Sequence, residues 1–216
     1  MVKINKSLLP KEIVIKKEED YRSEKVISIL QKDFYNKCYL CEEKDPTSIN
    51  VEHFRSCKNN EDLKYNWENL FYACAHCNRI KGSRYDHIID CTKDDPEMYI
   101  HIRFVSYPKH YVKVMYEIYS TENRETQELL DKIYNGAGTA ISEFEAKNLK
   151  SKISDEIKEF TECIDNYLNE NDDRLRIVYW KRIKKMLRRE SQFSGFKRSI
   201  VMESKELAQC FGELLR

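Results

Sequence analysis

The sequence predicts an α+β chain, in which a small mixed part clamped by cysteines is followed by a mainly α-helical C-terminal region. Three observations carry this. Cys38-x-x-Cys41 and Cys74-x-x-Cys77 bracket short apolar segments. Residues 99–105 and 111–119 are alternating and rich in β-branched and aromatic side chains, the period of strands. Beyond Thr121 the apolar residues recur at helical spacing.

Taken in order, residues 1–35 form an N-terminal segment and helix. Val26, Ile27, Leu30 and Phe34 recur at helical spacing across 22–35 and deliver the chain to Cys38. Residues 36–90 form the cysteine-bearing core. Asp45-Pro46-Thr47 marks a turn before a short strand, Ile49-Asn50-Val51. Residues 91–121 form a hairpin extension turning through 106–110, which contain Pro108. Residues 122–216 are helical, with a change of character expected near 121–140. Ser142-Glu143-Phe144-Glu145 fits a capping box. The helix it opens aligns Phe144, Leu149, Ile153, Ile157, Phe160, Ile164 and Leu168. Further helices are expected over 174–189 and 203–215.

Composition narrows the function classes. With 35% charged and 41% hydrophobic residues, the chain has the make-up of an ordinary soluble domain with a real core. A formal net charge of +1 means that any nucleic-acid footprint must be local. No apolar run suggests a signal peptide or a membrane span, so a cytoplasmic location is expected. Eight cysteines in such a compartment favour metal binding over disulfides. Cys57, Cys91, Cys163 and Cys210 lack ligand spacing and read as free thiols.

Two thiolates on one tight turn can share a zinc ion, and two such turns complete a tetrahedral site. Cys38, Cys41, Cys74 and Cys77 are therefore expected to hold a structural Zn²⁺; paired reduced thiols are the rival reading. Between the pairs, Glu52-His53 ends an apolar strand. A histidine there suits removal of a proton from water near neutral pH. The adjacent carboxylate suits a hard divalent cation. Asn69 precedes a second apolar stretch and Asn78 follows the last cysteine, and amide oxygens orient rings or coordinate magnesium. Together these supply the minimum for phosphodiester hydrolysis, an activated water and a charge-stabilising cation. Arg79 and Lys81 are candidates for phosphate contact.

Cys-x-x-Cys, Glu-His, Asn-Leu and Cys-x-x-Cys-Asn-x-x-Lys-Gly, in that order over residues 36–84, resemble the zinc-supported HNH endonucleases of ββα-metal fold. More loosely, VEHFRS, WENLFYACAHCNRIKGS, MVKINKS and SQFSGFKR are similar to the HNH nuclease subunits (PtuB) of Septu-type and retron-associated anti-phage systems. The resemblance implies a DNA endonuclease with His53 as general base and Asn69 positioning the ring or the backbone beside it. Glu52 and Asn78 would hold a catalytic Mg²⁺ or Mn²⁺, and the wider resemblance implies a PtuA-like ATPase partner. The chain departs from the family pattern at Asn78, where histidine is common, at Glu52, where aspartate is common, and at Ser56, where proline often stands.

Each assignment has a plainer counterpart. A histidine after a strand is more often a packing residue, and Asn69 and Asn78 are ordinary helix caps. His76 reads as solvent-facing or as a DNA contact, with replacement of a cysteine as zinc ligand the lesser alternative. Trp67 and Tyr65 read as core covering the site, with stacking on a base the lesser alternative. The cations of 174–189, among them Arg182 and Lys185, suit phosphates, an acidic partner or simple solvation. The alternative function is a zinc-knuckle module that binds nucleic acid or protein without cutting, or a degenerate nuclease that only docks an ATPase.

Overall fold

The computed structural model describes residues 1–58 and 60–215. Two short helices, α1 (Glu18–Tyr21) and α2 (Glu24–Asp33), lead to the first cysteine pair. Strand β1 (Ile49–His53), a helical turn α3 (Glu61–Lys64), strand β2 (Leu70–Cys74) and helix α4 (Ala75–Lys81) follow. Strands β3 (Ile100–Val105) and β4 (Tyr111–Tyr116) form the expected hairpin. Five helices complete the chain: α5 (Thr121–Asn135), α6 (Ala140–Asn169), α7 (Asp173–Met186), α8 (Ser194–Glu203) and α9 (Lys205–Phe211).

β1 and β2 are antiparallel, with Ile49 opposite Cys74 and His53 opposite Leu70, and α4 continues directly from β2. Every residue of β2 is buried. It is covered by the helix predicted from Val26, Leu30 and Phe34, all fully buried. Phe34, Tyr39, Phe54 and Phe71 form an aromatic cluster beneath the strand pair, with Phe54 stacked on Phe71 at 4.8 Å. Such pairs add about 0.5–1.5 kcal/mol each beyond area burial. β3 and β4 pair antiparallel from Ile100–Tyr116 to Val105–Tyr111, which fixes a turn over 106–110.

The helical region is not a separate core beginning near 121–140. Leu129, Leu130, Ile133 and Tyr134 of α5, and Leu149 and Ile153 of α6, belong to the same apolar cluster as the strands and cysteines. A second cluster gathers Phe160, Cys163 and Ile164 with Ile183, Leu187, Val201 and Phe211. The division falls inside α6, so the change of character at 121 is one of secondary structure.

Two local readings are corrected and one element is new. α6 starts at Ala140, two residues before Ser142: Thr139 caps it and Ser142 supplies the reciprocal bond of a capping box. The stripe of α6 is shorter than its period suggests, because Phe144 and Leu168 lie outside the packed face, 65% and 54% exposed. α8 forms between the helices expected over 174–189 and 203–215, and the charges of its Ser-Gly-Phe-Lys-Arg-Ser run are paired inside the fold. Lys197 Nζ meets Glu156 at 2.8 Å, and the Arg198 guanidinium meets Glu97 at 2.7 Å and the carbonyls of Leu187 and Leu215.

A polar hub joins Met1 and residues 189–195 to the first cysteine pair. Glu42, 1% exposed, meets the Met1 ammonium at 2.9 Å and Lys37 Nζ at 3.3 Å, and accepts from Ser194 Oγ and Gly195 N–H. Lys37 also donates to the carbonyls of Arg189 and Ser191. Gly195 is required there, since a Cβ would stand 2.5 Å from Glu42 Oε1. Against the desolvation of complete burial, the Met1 ammonium and Lys37 hold the Glu42 carboxyl well below the usual carboxylate range. Among the described residues, no helix is long and apolar enough to cross a membrane.

Candidate active site

The two cysteine pairs come from different local structures. Cys38 and Cys41 sit on a turn closed by a Lys37–Lys44 bridge, by Cys38 N–H to Glu43 C=O at 3.0 Å, and by left-handed Glu42. Cys74 ends β2 and Cys77 lies in the first turn of α4. The four sulfurs are buried and all lie within 4.8 Å of one another. The Cys41–Cys74 separation is 3.9 Å. Zinc–thiolate bonds of about 2.3 Å place tetrahedral sulfurs about 3.8 Å apart, whereas a disulfide needs about 2.05 Å. The set fits one Zn²⁺ and does not resolve into two redox pairs. Burial drives Cys41 and Cys77 well above the usual thiol range. Cys38, despite its burial, is held well below that range by hydrogen bonds from the other three sulfurs.

His76, between Cys74 and Cys77, is neither ligand nor free. Its Nδ1 lies 2.8 Å from Glu145 of α6 and its Nε2 2.9 Å from the Ile133 carbonyl of α5. The sequence reading of a solvent-facing or DNA-contacting ring is corrected to a latch between α4 and the two long helices.

At the end of β1, His53 is half-buried, edge-on to Tyr21 at 5.1 Å. Its Nε2 is 2.9 Å from the Lys64 carbonyl, which only accepts. Nε2 therefore carries the hydrogen of the neutral ring, and Nδ1 keeps the lone pair. Burial lowers the His53 pKa below its ordinary 6.5, so this neutral form prevails at neutral pH. An open cleft of about 480 Å³ adjoins it, lined by Glu52, His53, Ser56, Lys58, Asn78 and Ser83 among others.

Glu52 points toward α4. Its Oε1 meets Lys81 Nζ at 2.8 Å, and the same ammonium donates to the His53 carbonyl at 3.0 Å. Burial raises the Glu52 carboxyl, and Lys81 offsets this only in part. Lys81 is fully buried, so its expected place on the phosphate-facing surface is corrected to an internal counter-charge. Arg79 is likewise engaged, ion-paired with Glu145. Asn78 lines the cleft, and its side-chain amide has no hydrogen-bond partner among the described residues.

Asn69, 5% exposed, is a clamp rather than a cleft residue. Its Oδ1 accepts from Arg55 N–H at 2.7 Å, and its Nδ2 donates to the Arg55 and Leu63 carbonyls at 3.0 and 2.9 Å. It thus fixes the loop leaving His53 and the turn whose Lys64 carbonyl holds the ring. Trp67 is buried, donating its indole N–H to the Ser7 carbonyl, while Tyr65 is half-buried. Arg182 pairs with Glu159 at 2.6 Å on the exposed face of α7, and Lys185 is exposed nearby. Neither lines the His53 cleft.

Sequence reasoning missed two contributors. Lys64 acts through its backbone, which side-chain identity does not reveal. Asp86, whose Oδ1 accepts from Ser56 N–H at 2.8 Å, comes from a loop without periodicity. Its only signal was a carboxylate shortly after the second cysteine pair.

Residues 38–84, less than a quarter of the chain, match the family model described as HNH endonuclease. Comparison with curated proteins and with solved structures gives no significant match.

Proposed function

We propose that this chain is a metal-dependent HNH endonuclease hydrolysing phosphodiester bonds of DNA. The observation that carries the reading is His53: Nε2 is tied to the Lys64 carbonyl, leaving Nδ1 as base in the cleft that Glu52 and Asn78 also line. Glu52 and Asn78 are the residues that would hold the catalytic cation, Mg²⁺ or Mn²⁺, and oxygen donors from a carboxylate and an amide fit such hard ions. Bound there, the cation supplies charge neutralisation at the phosphate undergoing attack. His53 Nδ1 takes a proton from water as its oxygen bonds to phosphorus and a bridging P–O bond breaks. The imidazolium so formed keeps its orientation through Nε2–H and Lys64. Asn69 holds both sides of this arrangement. The cysteine cluster, holding Zn²⁺, is the structural support.

Plasmid cleavage by wild type and His53→Ala, with Mg²⁺, Mn²⁺ and EDTA arms, tests the reading. Cutting that requires both cation and His53 is expected. Undiminished cutting by His53→Ala overturns the assignment. A second reading, a nucleic-acid-binding module without catalysis, is favoured by one observation: Lys81 already occupies Glu52. Folded, zinc-loaded protein that binds DNA but cuts under no metal would establish it.

The wider resemblance supports a cellular role as nuclease effector of a Septu-like anti-phage complex, restrained by a PtuA-like ATPase. The two outlying segments that carry this resemblance, at residues 1–7 and 191–198, meet on Glu42. Co-purification with an ATPase that alters the cleavage rate is the expected result.

A further inference from the structure

Of the cations near the site, Lys81 is buried on Glu52, Arg79 is paired with Glu145, and Lys64, which lines the His53 cleft, lies 3.9 Å from Glu18. A site that binds a polyanion needs its positive charge elsewhere. Arg55 and Lys58 stand on the loop that leaves His53. Both are exposed, and among the described residues neither side chain has an ion-pair or hydrogen-bond partner. The backbone that carries them is held. Asn69 grips both the N–H and the C=O of Arg55, and Asp86 grips the N–H of Ser56. An exposed arginine on a pinned backbone presents its charge with less ordering entropy left to lose on binding.

Position agrees with charge. Lys58 lines the His53 cleft itself, while Arg55 lines a second groove of about 430 Å³ with Phe54, Tyr99 and Ile118. Two residues of chain span at most about 7 Å, so Arg55 begins within that distance of His53. Both cations therefore stand beside the path of a strand laid over His53. We propose that Arg55 and Lys58 form the phosphate clamp of this site, binding the nucleic-acid backbone next to the position His53 addresses. The proposal rests on the nuclease reading above and assigns its substrate contacts.

The test uses full-length, zinc-loaded His53→Ala protein, which holds substrate without cutting it. Its affinity for a short DNA duplex is measured across a salt series. Arg55→Ala and Lys58→Ala are added singly, with Arg79→Ala as the control cation and Arg55→Lys as the charge-retaining variant. Each of the first two is expected to weaken binding about tenfold and to flatten the plot of log affinity against log salt by about 0.9. Arg79→Ala should leave both quantities unchanged, and Arg55→Lys should restore the salt slope. Zinc content and thermal midpoint check that each variant is folded. Binding within twofold of the parent for both Arg55→Ala and Lys58→Ala overturns the clamp. If wild type still cuts in that case, the nuclease reading survives the loss of the clamp. A parent that binds no duplex, with a wild type that cuts none, overturns both.

Discussion

Glu42 and Glu52 are both buried glutamates beside the cysteine cluster, each ion-paired to a buried lysine. Their surroundings differ. Glu42 is met by the Met1 ammonium, Lys37, the Ser194 hydroxyl and the Gly195 N–H, and its carboxyl lies well below the usual range despite burial. Glu52 has Lys81 alone, borders an open cleft, and burial raises its carboxyl. A saturated carboxylate is a fastening. One left with unfilled lone pairs at a cleft has capacity for a ligand.

The largest perturbation removes the frame shared by both. Cys74→Ser, or stripping of zinc, is expected to abolish cooperative unfolding, since structural zinc sites contribute about 10–16 kcal/mol of apparent binding energy. Zinc content and thermal melting measure this. Next, Glu42→Gln leaves Lys37 buried without its counter-charge and should cost about 3–5 kcal/mol in denaturant unfolding. A cost below that of Glu52→Gln would reverse the comparison. Glu52→Gln leaves one buried cation, Lys81, without its counter-charge, where Glu42→Gln leaves two, the Met1 ammonium and Lys37, so it should cost less, about 3 kcal/mol. Cleavage should nevertheless fall about 10²–10³-fold. A Glu52→Gln enzyme with full activity would strip Glu52 of its metal role.

The smallest effects are in pH, where the two glutamates act with opposite sign. The Glu42 pKa is depressed on folding, so its stabilisation is present above the unfolded value of 4.5 and is lost as pH falls below it. That of Glu52 is raised, so its contribution is largest below 4.5 and declines as pH rises through the folded value. Urea midpoints from pH 3 to 7 should therefore show a weaker acid loss in Glu42→Gln and a stronger one in Glu52→Gln. The His53 pKa is lowered on folding, so cleavage should persist below pH 6.5 and fall only as pH drops through the folded value. A rate profile with its midpoint at or above 6.5 would contradict the burial of that ring.

Much of this was legible in the residues. The cysteine spacing named four sulfurs that do converge. The apolar period of Val26, Leu30 and Phe34 and the alternation of 99–119 gave elements that form. What was hidden depends on pairing across the sequence. A lysine two residues from an exposed arginine reads as surface until Glu52 is known to lie behind it. The Ser-Gly-Phe-Lys-Arg-Ser run has its charges neutralised by Glu97 and Glu156 from positions far away in the chain. Asn69 looked like a cap or a ring-holder, and its three bonds to main chain depend on a fold that no local pattern encodes.

The hub at Glu42 has a consequence for anyone wishing to transplant this domain. Residues 38–84 carry the recognisable motif, yet Met1, Ile4, Phe193 and Phe196 share the core of its cysteine turn, and Tyr134 donates to the Leu40 and Cys41 carbonyls. The motif is therefore not a portable cassette: excised at its own borders, it would leave behind the walls that keep its four sulfurs together.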